Sequence, residues 1–158
     1  MHKQLPERKS PRLIDYDYST SGAYFVTICT DQRVHLFGEI HSDEMHLSSA
    51  GSIAYDCWKA LPEHHAHITI DDFVVMPNHV HGILFLDGES GVLSTIVGSY
   101  KSGVSRRIRH AYQQPSLVLW QGRYHDHIIR NEQSLNKIRE YIQYNPALWQ
   151  QDKFYDEA

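Results

Sequence analysis

Two histidines one residue apart stand inside an apolar run: Phe73 to Leu86 reads FVVMPNHVHGILFL, with His79 and His81 on either side of Val80. Side chains alternate faces along a strand, so a strand here turns both imidazoles one way and Val80 the other. Two neutral imidazoles on one face are half of a divalent-metal site, although sheet histidines held only by hydrogen bonds would show the same spacing. Two histidines rarely close a catalytic site, so a third ligand has to come from elsewhere. His65 and His67 form a second pair of this kind, but they lack apolar flanks and read as loop histidines after Pro62.

The segment Asn131 to Tyr144 reads as a helix with Leu135, Ile138 and Ile142 as its buried stripe. Tyr141 and Asn145 are four residues apart and project from one side of that helix, with Lys137 one turn earlier. That side lies roughly opposite the apolar stripe. Pro146 disfavours helical geometry at Asn145, so a cap or turn is the other reading of that residue.

The chain has 158 residues and a net charge of −4, with 41% hydrophobic and 22% charged residues. This suits one soluble domain with its own core and no membrane span. The polar start, MHKQLPERKSPR, carries no secretory pattern, which makes a cytoplasmic protein the expectation. Cys29 and Cys57 are single and far apart, as reduced structural thiols are. Charge is unevenly spread: Tyr100 to Glu140 holds eight Lys/Arg against three acids, a local +5 within an acidic chain. Such asymmetry fits a footprint for a polyanion, or a solvated helix face with accidental clustering.

Around these residues the elements follow from pattern. Ala23–Thr30 is a strand, and Val34–Ile40 could pair back on it as a hairpin. A helix bearing Ile53, Ala54, Cys57, Trp58 and Leu61 stops at Pro62. His67–Met76 and His79–Leu86 are strands, Val92 to about Tyr112 is a long helix, and Leu117–Trp120 and Tyr124–Ile129 are short extended pieces. The order βαββαβ plus a last helix predicts an α+β fold, a ferredoxin-like antiparallel sheet with helices on one face and a C-terminal helix carrying the tyrosine. The other face of the sheet would be free to carry a site. Residues 1–21 read as a polar arm, 22–150 as the domain and 151–158 as a short polar tail.

MPNHVHGILFL resembles the HUH motif of single-tyrosine transposases, and REYIQYNP resembles the tyrosine-helix motif of their REP-associated branch. GAYFVTICTDQRVHLFGEI, IVGSYKSGVSRRI and WQGRYHDHIIRNEQS extend the resemblance over about residues 22–150 in the same order. After Asn145-Pro146 the chain continues ALWQQDKF, departing from the VKAG-like continuation of many relatives.

The resemblance implies metal ligands at His79, His81 and Asn145, a nucleophile at Tyr141, Mg²⁺ or Mn²⁺ as cofactor, and single-stranded or hairpin DNA as partner. Cleavage would pass through a 5′-phosphotyrosine, in a bacterial protein acting at the nucleoid as a monomer or as a homodimer that exchanges the last helix. Lys137 could help the phenol ionise, an addition to the family pattern. Lys101, Arg106, Arg107, Arg109 and Arg123 would neutralise DNA phosphates, while Tyr100, Trp120 and Tyr124 could stack on unpaired bases or pack in the core. His127 matches a recurrent family position and reads as structural or as a support behind the metal ligands. A hairpin-binding module without catalysis and a metal-dependent phosphoesterase are the alternatives.

Overall fold

In β1 (Gly22–Cys29, GAYFVTIC), Tyr24, Val26 and Ile28 face one way and Ala23, Phe25 and Thr27 the other, and nearly all are buried. A strand apolar on both faces belongs in the middle of a sheet. The computed structural model, which describes residues 22–87 and 92–152, places it there. The remaining sheet strands are β4 (Ile68–Met76), β5 (His79–Leu86) and β6 (His125–Ile128), in the order β4-β5-β1-β6 with every pairing antiparallel. This is the ferredoxin-like arrangement expected. The polar arm expected at 1–21 lies outside the described residues, as does all of the expected tail beyond 152.

Helices α1 (Ser49–Lys59) and α3 (Val92–Ala111) cover one face of the sheet. Trp58, Ile96, Val97, Tyr100, Val104 and Ile108 pack there against Val26, Ile28, Val80 and Leu84. The opposite face is not left free. Helix α4 (Glu132–Tyr144), started by the Asn131 side chain accepting from Ser134 N at 2.8 Å, lays Leu135 and Ile142 on Ala23, Ile83 and Phe85. Arg139 is buried in this layer and donates from Nε to Asp71 Oδ1 at 2.8 Å, so it does not belong to the exposed basic surface.

Two local expectations need correction. Val34–Ile40 does not fold back on β1; β2 (Gly38–His41) instead pairs with β3 (Glu44–Leu47) as a separate ribbon turning at Ser42 and Asp43, both at positive φ. Pro62 does not end helical structure, because it occupies the opening turn of a short helix, α2 (Leu61–His64), where its missing N–H is not needed.

Candidate active site

Strand β5 delivers His79 and His81 to the α4 face, since Val80 and Leu84 point into the other layer. Both rings are buried, with centroids 4.4 Å apart. His79 Nδ1 donates to Asn78 Oδ1 at 2.7 Å, which leaves the Nε2 lone pair directed into the site. His81 Nδ1 lies 2.8 Å from the Thr27 hydroxyl on the neighbouring strand, and its Nε2 faces α4. Burial pulls the His79 pKa down to about 4, against an opposing pull from Asp152. The ring is therefore neutral near pH 7, and its 3.7 Å approach to Asp152 Oδ2 is a neutral-to-anion contact. A neutral imidazole is the form that binds metal.

Helix α4 brings Tyr141 to the same place. Its hydroxyl is 3.5 Å from His81 Nε2 and donates to Asp152 Oδ1 at 3.3 Å. Burial, then the Asp152 charge, push the phenol pKa well above its ordinary value. Tyr144 is 56% exposed and is not part of the group. Asn145 caps the C-terminal end of α4 and keeps helical angles (φ −55°, ψ −46°) despite Pro146. The helical side carrying Tyr141 and Asn145 therefore flanks the apolar stripe instead of opposing it, and Asn145 is 1% exposed. Its Nδ2 donates to Asp152 Oδ2 at 2.7 Å, while its Oδ1 has no hydrogen-bond partner among the described residues.

Asp152 is the residue the sequence did not single out. It follows a 3-10 turn (Trp149–Gln151) that folds the chain back under the histidines, with the Trp149 ring 6.1 Å from that of His79. One ligand atom each from His79, His81 and Asp152 lie within 4.8 Å of one another, all three residues buried. Such a group, with the orphaned Asn145 Oδ1 beside it, could hold a metal ion. The expected boundary at residue 150 would leave Asp152 in the tail, where no periodicity marks it.

An open cleft of about 890 Å³ lies over this cluster, lined among others by Phe25, His81, His127, Lys137, Tyr141 and Asp152. Lys137 is thus beside the tyrosine, and His127 is exposed at the cleft edge, not a core residue. The aromatic residues expected to stack on bases are placed otherwise. Tyr100 is buried and its hydroxyl donates to Ala54 O at 2.9 Å; Trp120 is buried and donates to Lys101 O at 3.1 Å; Tyr124 is half-buried against the same core. Of the expected phosphate contacts, Lys101 and Arg109 donate to the carbonyls of Gln121 and Leu117, and Arg123 is exposed. Arg106 and Arg107 line a separate 400 Å³ pocket on the α1–α3 layer, across the sheet from the histidines.

Paired histidines on a central strand, faced by a tyrosine on a terminal helix, are the arrangement that the motifs implied. The family model described as "Transposase IS200 like" matches residues 18–145. The chain belongs to the IS200-like transposase family. A Haemophilus influenzae protein of uncharacterised function is 37% identical over 172 residues, spanning 96% of this chain and 94% of its own length. Another protein of that organism, provisionally named a REP-associated tyrosine transposase, is 23% identical and covers 83% of this chain and 73% of its own. Among solved structures, a REP-associated tyrosine transposase bound to a REP hairpin superposes with TM-score 0.63 at 22% identity, over 85% of this chain and 72% of that one. A Deinococcus radiodurans protein provisionally called a transposase gives 0.56 at 19% identity, over 90% and 96%. The resemblance to the REP-associated branch is matched by these relatives, and the shared fold is the α+β sheet described above. No helix among the described residues is long and apolar enough to cross a membrane.

Proposed function

We propose that this member of the transposase family cuts and rejoins single-stranded DNA through Tyr141. The observation that carries this reading is the meeting of a tyrosine hydroxyl and a buried His-His-Asp group, with Tyr141 3.5 Å from His81 and 3.3 Å from Asp152. His79, His81 and Asp152 would hold Mg²⁺ or Mn²⁺, with Asn145 Oδ1 as a further oxygen donor. Bound there, the ion would supply Lewis-acid stabilisation of a phosphodiester.

Tyr141 Oη attacks phosphorus, the bond to the 3′ oxygen breaks, and a 5′-phosphotyrosine and a free 3′-hydroxyl result. Asp152 Oδ1 accepts the phenol proton and passes it to the leaving 3′ oxygen, and Lys137 in the same cleft favours the developing phenolate. Attack by a second 3′-hydroxyl reverses the step and joins strands. A stem-loop substrate is supported by the REP hairpin in the similar solved structure.

The test is incubation with labelled hairpin-bearing single strands and Mg²⁺ or Mn²⁺, read as a DNA-linked band on a denaturing gel. The band is expected from the wild type and absent from Tyr141→Phe. A band that persists in the Phe variant would remove Tyr141 as nucleophile, and no band with any stem-loop would leave a binding module.

A further inference from the structure

Arg33 occupies a turn whose conformation does not suit it. Gln32 and Arg33 have φ of 54° and 55°, and Val34 N donates back to Asp31 O at 3.3 Å. Two consecutive left-handed positions ordinarily take Gly, Asn or Asp, and a long side chain there is strained. The other such turn among the described residues, at Ser42–Asp43, carries short polar residues.

The turn is nevertheless held firmly. Thr30 N donates to Asn78 O at 2.9 Å, Thr30 Oγ1 donates to Val34 O at 2.8 Å, and Asp31 N donates to Leu119 O at 2.8 Å. Thr30 is 1% exposed, and Asn78 immediately precedes His79, so the turn is tied to the histidine strand. Strain kept in place by buried anchors beside a cleft points to a use for the strained residue. Arg33 lines the cleft with His81, Tyr141 and Asp152, and among the described residues Lys137 is the other Lys or Arg in that lining. Asp126 and Asp152 also line it, so a strand's phosphates meet negative charge there unless cations offset it.

We infer that Arg33 is a phosphate-binding residue, which grips a phosphate of the DNA strand next to the one that Tyr141 attacks. This rests on the reading of the cleft as a DNA-cleaving site. The planar fork of a guanidinium suits two oxygens of one phosphate, and a turn locked to β5 fixes its distance from the histidines. Arg33 positions the strand and does not touch the reacting bond.

The test measures affinity for a hairpin-bearing single strand in a Tyr141→Phe background across salt concentrations, with adduct formation measured separately in the Tyr141 protein. Arg33→Gln is expected to weaken binding about tenfold and to flatten the salt dependence by about 0.7 in log–log slope, the share of one phosphate contact on a single strand. Arg33→Lys should keep part of the affinity. Arg33→Gly, which removes the charge and suits the positive φ, should bind as weakly as the Gln variant while melting at or above the wild-type temperature.

If adducts form and Arg33→Gln leaves affinity and slope unchanged, the phosphate grip is overturned and the cleavage reading stands. If no adduct forms but Arg33→Gln weakens binding, the grip stands and the cleavage reading falls. If neither occurs, both fall. An Arg33→Gly protein that melts well below the wild type would make Arg33 a structural residue and overturn the inference.

Discussion

Arg139 on helix α4 and Asp71 on strand β4 form a doubly hydrogen-bonded ion pair inside the protein, their side chains 3% and 1% exposed. Asp71 lies where the β4–β5 register shifts between Ile70 and Phe73, so a bulge aims this carboxylate at the tyrosine helix. The pair joins the helix bearing Tyr141 to the sheet bearing the histidines.

Breaking that pair from one side leaves a buried charge uncompensated, which costs roughly 3–5 kcal/mol. Asp71→Ala is therefore expected to lower unfolding free energy by that order in denaturant titrations. Replacing both partners with apolar residues of similar volume should recover most of the loss. A double variant no more stable than the single one would mean the pair's role is something other than charge compensation.

Gly82 sits between His81 and Ile83, and a Cβ there would come within 2.2 Å of the Trp58 ring. Trp58 is fully buried and has little room to move. Gly82→Ala should destabilise the fold by about 1–3 kcal/mol through overpacking. Adding Trp58→Leu to make space is expected to restore part of that stability in the same denaturant assay.

The parts of this molecule that follow a period were legible in the sequence. The alternation of FVVMPNHVHGILFL places β5 and both histidines, and the spacing of Leu135, Ile138 and Ile142 places α4, although Tyr141 and Asn145 are expected roughly opposite that stripe and in the fold lie beside it. What escaped depends on contacts between distant segments. Asp152 is recruited by a non-periodic turn after α4, and nothing local distinguishes it from other tail acids. The β2–β3 ribbon turns on Ser42-Asp43 in place of the Asn-Gly or Asp-Gly that signals a hairpin. Tyr100 and Trp120 show why aromatic residues in a basic segment mislead: their apolar bodies fill the core while their polar tips bond carbonyls. Arg139 belongs to the basic segment by composition, which cannot reveal its buried partner sixty-eight residues away.

The depressed pKa of His79 makes stability depend on pH. In the unfolded chain this histidine takes a proton near its ordinary 6.5, whereas burial holds it neutral in the fold to about 4. Between these values the unfolded state binds more protons, so this contribution is present in full above pH 6.5 and is lost as pH falls to 4. In chelated protein, unfolding free energy should fall by up to roughly 1.4 kcal/mol per pH unit across that window. Denaturant curves at pH 7 and pH 5 should show the loss in the wild type and a smaller one in His79→Gln.

Asp152 touches both Tyr141 and Asn145, so its removal is expected to act in two separable ways. Without its carboxylate the His79–His81 pair keeps only neutral donors, and Mn²⁺ affinity measured by titration calorimetry should fall tenfold or more. The same change removes a negative charge that holds the phenol protonated, so the Tyr141 pKa should move down toward its ordinary value. Ultraviolet titration of Asp152→Asn, with the Tyr141→Phe signal subtracted, reads that shift without metal. Weaker Mn²⁺ binding with an unmoved phenol would assign Asp152 to the metal alone. A shifted phenol with unchanged Mn²⁺ binding would leave His79, His81 and Asn145 as the ligand set that the motifs implied.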